Sequence, residues 1–224
     1  LLTLADVIKD EIPRADVSVM SGPSHAEEVS RRIPTTIVVG SSTKETAHKI
    51  QDAFMNEIFR VYTSPDIIGI ELGASLKNVI ALAAGILDGL GLGDNTKAAL
   101  MTRGMAEISR LGIKMGGSLE TFSGLSGMGD LFVTCTSPHS RNRQAGILIG
   151  KGYTMKEAME EVNQVVEGVN TAKAALALAN KYDVEMPIVE QINLVLFEDK
   201  PAKDAANALF CRDKRREYST LEWD

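Results

Sequence analysis

Short runs of β-branched and apolar residues alternate with helix-period segments along the first third of the chain. VSVM runs into a Gly-Pro turn, SHAEEVSRR follows, and then come TTIVVGS, KETAHKIQDAFM and FRVYTSP. This is an α/β rhythm, and it predicts a mainly parallel sheet. An amphipathic helical pattern, LLTLADVIKDEI, precedes it. From Pro65 onward the strand signals stop, and helical periodicity predicts segments over Asp66 to Leu90, Asn95 to Met115, Ser140 to Lys151, Met155 to Glu161, Thr171 to Lys181, Pro187 to Phe197 and Ala202 to Leu209. GLGLGDNT and GLSGMGD read as glycine-rich connectors. The pattern divides the chain into an α/β part, residues 1–65, and an all-helical part, residues 66–224.

The most apolar stretch, Ile70 to Leu90, carries a lysine in its middle. One helical turn from Lys77 lie Gly73, Ala74, Ile80 and Ala81, so another backbone can approach that face and shield the ammonium from water. An unpaired buried charge is costly, and such a lysine either has a hidden carboxylate partner or handles protons with a lowered pKa. Glu71, Lys77, Asn78 and Asp88 interrupt the run, which argues for a core helix and against a membrane span.

Composition narrows the class. A chain of 224 residues with 44% hydrophobic residues has ample core, and a net charge of -6 argues against a general nucleic-acid surface. The one basic run, Arg212 to Glu217, reads as a solvated tail. Cys135 and Cys211 have no C-x-x-C or histidine neighbour at ligand spacing, so no metal site is expected and reduced, cytoplasmic thiols fit best.

Three further patterns bear on chemistry. Asp130 follows GLSGMG and reads either as a turn or cap carboxylate or as a group delivered to a site. Ser140 to Arg143, SRNR, opens a helix; Ser140 is an ordinary N-cap, while the free N–H groups together with Arg141 would also cradle a phosphate. Gly22 and Ser24 in SGPSHA read as a plain turn and cap, and His25 as structural. A hydrolase triad of Ser140, His139 and Asp130 is disfavoured, because adjacent serine and histidine side chains diverge and no G-x-S-x-G elbow exists. A dinucleotide turn of the form G-x-G-x-x-G occurs nowhere in the chain.

Four segments in order, SGPSHAEEV, ELGASLKNVIALAAGILDGLGLGDNTKAALMTRG, GMGDLFVTCTSPHSRNR and QVVEGVNTAK, resemble the bacterial NAD(P)-dependent sn-glycerol-3-phosphate dehydrogenases, and the resemblance runs along nearly the whole chain. In that family a Rossmann half with its glycine-rich turn precedes everything seen here, so the chain resembles a C-terminal portion: the end of a Rossmann-type sheet followed by an all-α substrate domain. The resemblance implies interconversion of dihydroxyacetone phosphate and sn-glycerol 3-phosphate by hydride transfer with NAD or NADP, in the cytoplasm, for glycerophospholipid synthesis. It implies Lys77 as the catalytic acid-base, and Gly22, Ser24, Asn78, Asp130, Thr134, Ser140, Arg141 and Asn142 with Lys77 as substrate contacts. Ala26, Arg141, Val165 and Glu167 would touch the cofactor. A homodimer is the possible assembly, and the isolated chain is expected to lack dehydrogenase activity. Two rival readings stand beside this one: a non-catalytic helical binding or dimerisation module, and a dehydrogenase of the 6-phosphogluconate type, whose lysine and asparagine are set apart along the helix where here they are adjacent.

Overall fold

The computed structural model describes residues 2–214, 216 and 217, so Leu1 of the opening helical pattern and Arg215 of the basic run lie outside the described residues. Helix α1 (Leu4–Glu11) is closed by a capping box in which Thr3 accepts from the Asp6 N–H and Asp6 accepts from the Thr3 N–H. Three strands follow, β1 (Ser18–Ser21), β2 (Thr35–Ser41) and β3 (Phe59–Ser64), interleaved with α2 (Ala26–Val29) and α3 (Lys44–Phe54).

The sheet order is β1-β2-β3, with β2 and β3 parallel but β1 antiparallel to β2, so the sheet is mixed and not mainly parallel. The reason lies in the connections. Between β2 and β3 the 11-residue α3 provides a crossover, whereas between β1 and β2 the only helix is the four-residue α2, too little to carry the chain across the sheet. Ile37, Val39 and Val61 form the small sheet core, with Ile50 and Phe59 against it.

The rest is helical: α4 (Ile67–Gly89), α5 (Asp94–Lys114), α6 (Leu119–Phe122), a π-helical turn (Leu125–Gly129), α7 (Asp130–Thr136), α8 (Arg141–Gly150), α9 (Met155–Val162), α10 (Glu167–Tyr182), α11 (Pro187–Phe197) and α12 (Ala202–Phe210). The helices read from periodicity are all present to within a few residues. What periodicity misses is the single-turn α6 and the segment read as the connector GLSGMGD and an apolar run, which folds as the π-helical turn and α7. Its glycines break the 3.6-residue pattern, and α7 is only two turns long.

Helix α4 is apolar on nearly every side and long enough by composition to cross a membrane, but α5, α7, α8, α10 and α11 surround it and it forms the centre of the main core. Its N-terminus is fixed by Asp66, whose carboxylate accepts from the N–H groups of Gly69 and Ser118, both at 2.8 Å. The closest packing is between α4 and α8, where glycines face each other: a Cβ on Gly146 would lie 2.1 Å from the Leu82 carbonyl oxygen, and one on Gly85 would lie 2.1 Å from that of Arg143. Contact at backbone distance fixes α8 against α4 with little freedom to slide. The sheet joins the same helix, since a Cβ on Gly40 of β2 would meet Ile70 of α4.

One buried charge belongs to this packing. Glu107 of α5 is 2% exposed, and its carboxylate accepts from the N–H of Ile188 at 2.9 Å and of Val189 at 3.4 Å, at the N-terminus of α11. Burial outweighs those bonds and pushes the carboxyl up to about 7 from its ordinary 4.5.

Two expectations follow from the packing. Gly146→Ala should destabilise the fold by about 3 kcal/mol, as overpacking against a backbone does, whereas Ser75→Ala on the exposed side of α4 should stay within about 0.5 kcal/mol; urea midpoints read both, and equal midpoints would contradict the close α4–α8 contact. Folded Glu107 keeps its proton to about pH 7, while the unfolded side chain releases it near 4.5. The folded state therefore binds more protons in that window, and stability falls as pH rises through it. Wild type should lose roughly 2 kcal/mol between about pH 5.5 and pH 8 that Glu107→Gln does not lose, and matching profiles for the two proteins would refute this.

Candidate active site

Lys77 stands on α4 one turn after Gly73, where the backbone of the π-helical turn comes closest: a Cβ on Gly73 would lie 2.7 Å from the Ser126 carbonyl oxygen. That approach brings Asp130, the first residue of α7, to the lysine. The Asp130 Oδ1 to Lys77 Nζ distance is 2.5 Å, with the two side chains 6% and 15% exposed. The sequence reading allowed either a hidden carboxylate partner or a proton-handling role for Lys77, and the partner is present. Ser21 at the end of β1 donates to Asp130 Oδ2 at 3.3 Å, and Thr134, one turn along α7, donates to the Asp130 carbonyl at 2.6 Å and lies 3.3 Å from Oδ1.

A second polar group lies beside the first. Asn78, next to Lys77 on α4, accepts from the Asn142 side-chain amide at 3.1 Å, and the Asn142 carbonyl oxygen accepts from the Gly168 N–H at 2.8 Å. Arg141, at the start of α8, pairs with Glu167 at the start of α10 at 2.7 Å, each side chain about two fifths exposed. Ser140 is the N-cap of α8 and accepts from the Arg143 N–H at 3.3 Å, so the plain capping reading of SRNR holds for its serine. Behind the site Arg143 and Lys97 converge on Asp88, holding α8 to α4 and α5.

These residues line one cavity of about 330 Å³, with Gly22, Ser24, Lys77, Asn78, Asp130, Thr134, Ser140, Arg141, Asn142 and Glu167 all on its wall. Gly22 follows β1 with a φ of +142°, a conformation that side chains rarely adopt, and after this turn Ser24 and His25 line the cavity. Ala26 and Val165 do not line it; both are exposed, Val165 at 65%.

The wall also holds residues the sequence reading left out: Met20, Ser21, His25, Ala74, Val133 and His139. The sequence makes His25 structural, yet it adjoins Ser24 and His139 adjoins Ser140, two residues that the resemblance puts at the site, and that adjacency is the available signal. The hydrolase triad does not assemble, because Asp130 is engaged by Lys77 and the Ser140 oxygen is engaged as a cap. Among the described residues no group of His, Cys, Asp and Glu is arranged to hold a metal. Cys135 of α7 is fully buried and its thiol is pushed up to about 12 by that burial, which makes it a packing residue.

The chain carries two paired cations, a helix N-terminus and amide and hydroxyl groups around a space suited to a molecule of a few carbons and an anionic group. The family model for the NAD-dependent glycerol-3-phosphate dehydrogenase C-terminus matches residues 66–207, and that for the N-terminus matches residues 1–47. The chain is 67% identical over 223 residues to glycerol-3-phosphate dehydrogenase [NAD(P)+] of Agathobacter rectalis, covering all of this chain and 66% of that protein. It is 61% identical over 222 residues to the enzyme of the same name from Fusobacterium nucleatum, covering 98% of this chain and 66% of that one. The crystal structure of glycerol-3-phosphate dehydrogenase from Coxiella burnetii superposes with a TM-score of 0.91 at 40% identity, over 94% of this chain and 65% of that one. The chain thus spans just under two thirds of the length of these relatives, and the end of a Rossmann-type sheet followed by a helical domain is its fold. On the family match over residues 66–207, the chain belongs to the NAD-dependent glycerol-3-phosphate dehydrogenase family.

Proposed function

We propose that this chain is the substrate-holding, proton-transferring portion of a cytoplasmic glycerol-3-phosphate dehydrogenase, acting on dihydroxyacetone phosphate and sn-glycerol 3-phosphate for glycerophospholipid synthesis. The observation that carries this reading is Lys77 Nζ, held 2.5 Å from Asp130 on the wall of a cavity that also contains the start of α8 and Arg141. The relatives' names support the reaction, and the geometry is compatible with the roles given to the residues below.

Reducing a ketone requires a proton at the carbonyl oxygen as the carbon gains hydride, and the reverse reaction removes that proton. Lys77 gives and takes it at Nζ. Asp130 fixes the amine's position and compensates its charge, with Thr134 and Ser21 holding the carboxylate in turn. Asn78 and Asn142, already bonded to one another, orient the hydroxyl groups of the three-carbon chain. Arg141 and the first N–H groups of α8 take the phosphate, for which a guanidinium fork is better matched than an ammonium.

Of the four residues that the resemblance gives to the cofactor, two line the cavity and two lie outside it. Arg141 and Glu167 are about two fifths exposed, while Ala26 and Val165 are exposed outside the cavity, so this portion would hold the nicotinamide end of NAD or NADP and no more. The partial fit agrees with the lack of any G-x-G-x-x-G turn among these residues. When bound, the cofactor supplies or accepts the hydride.

The test is a chimera with the first third of the Agathobacter rectalis relative placed ahead of this chain, assayed by NADH oxidation with dihydroxyacetone phosphate. It should turn over, and Lys77→Met should lower turnover by about 100-fold or more while the circular dichroism spectrum stays unchanged; a variant within about threefold of the parent would remove Lys77 from the chemistry. In the same chimera Arg141→Lys should raise the Michaelis constant for dihydroxyacetone phosphate by on the order of tenfold, and Arg212→Lys, in the basic tail, should not. Equal behaviour of the two would reduce SRNR to a helix cap. Binding of sn-glycerol 3-phosphate by a chimera that never turns over would favour the binding-module reading.

A further inference from the structure

Two histidines line the cavity without a place in the mechanism above. His25 stands in the turn before α2 and His139 directly before the N-cap of α8, so they come from opposite sides of the site. Their rings meet edge to face with centroids 6.0 Å apart and planes at 61°. Both also belong to the neighbourhood of Arg141: the Glu27 carboxyl is held below its ordinary value by its own backbone N–H first, and then by His139, His25 and Arg141.

His25 Nε2 is shut off from solvent and has no hydrogen-bond partner. A buried nitrogen in that state carries the full cost of its lost water. The remedy is an acceptor, and His25 lines the cavity into which a ligand would bring one. The other strong donors are already engaged. Lys77 is paired with Asp130 and Arg141 with Glu167, so each fixed cation on the wall meets an anionic ligand with a carboxylate beside it. A phosphate dianion there needs further donors that are not already committed to a partner, and a ring N–H is one.

The geometry points to His25 as a direct ligand of the substrate's phosphoryl group, donating from Nε2, with His139 as the positioning neighbour that holds the imidazole ring over the N-terminus of α8. This deepens the proposed function and rests on it. The ligand chemistry is a phosphate monoester. A three-carbon alcohol without the phosphate gains nothing from His25, so the residue sets selectivity for the phosphorylated substrate.

The experiment is a titration of the 224-residue chain, uniformly labelled with 15N, by sn-glycerol 3-phosphate, by glycerol and by NADH. His48, exposed on α3, serves as the internal reference. The His25 Nε2 resonance should move with sn-glycerol 3-phosphate and not with glycerol or NADH alone. His25→Phe, which keeps a ring and removes the donor, should weaken sn-glycerol 3-phosphate binding by on the order of tenfold, and His25→Gln, which restores an N–H, should recover most of that loss. If the Asn78 and Asp130 amides shift with sn-glycerol 3-phosphate while His25 does not, the inference is overturned and the substrate site stands. If neither region responds, both readings fall. A His25 response to NADH alone, or a His25→Phe variant that binds as tightly as wild type, would also overturn it.

Discussion

A lysine placed on the most buried helix of a protein has to be compensated, and much of this site's architecture can be traced to how Lys77 is. The compensating carboxylate comes from a residue far along the chain, delivered by a π-helical turn whose backbone lies against Gly73. A side chain at Gly73 would push that turn away and leave the ammonium without its partner, an arrangement whose cost is several kcal/mol. The same constraint explains why α7 begins at Asp130: its first turn places Thr134 beneath the carboxylate, and β1 ends close enough for Ser21 to bond its other oxygen. The sheet, α4 and α7 therefore meet at one ion pair.

The second half of the site depends on the glycine contacts between α4 and α8. Because those helices touch at backbone distance, Asn78 on one reaches Asn142 on the other, and Asn142 in turn engages the Gly168 N–H at the start of α10. Three helices are thus registered by one amide. Arg141 and Glu167 are set at the rim by the same registration, in a place where an incoming anion could compete for the guanidinium.

The long helices were legible because each carries several turns of periodic apolar residues, and Ser140 was legible as a cap because serine before a helical run has a local meaning. Lys77 stood out because a charge inside IELGASLKNVIALAAG breaks the pattern around it. Asp130 could be singled out but not paired, since its partner lies more than fifty positions away and only the fold joins them. The antiparallel β1 was misread because strand direction depends on the short connection carrying α2 and not on the strand's own residues. Helix α7 was missed because glycines before it hide the period. The histidines were passed over for a related reason: each is unremarkable in its own segment, and only their approach across the cavity gives them meaning.

The central claim is that the cavity between β1, α4, α7 and α8 is a substrate site organised around Lys77. A crystal structure of the chain with sn-glycerol 3-phosphate tests it most directly. The account predicts the ligand in that cavity, its secondary hydroxyl about 3 Å from Lys77 Nζ and its phosphate at the start of α8 beside Arg141. A ligand bound elsewhere, or one bound in the cavity with its phosphate against Lys77 and its hydroxyl groups at Arg141, would contradict it.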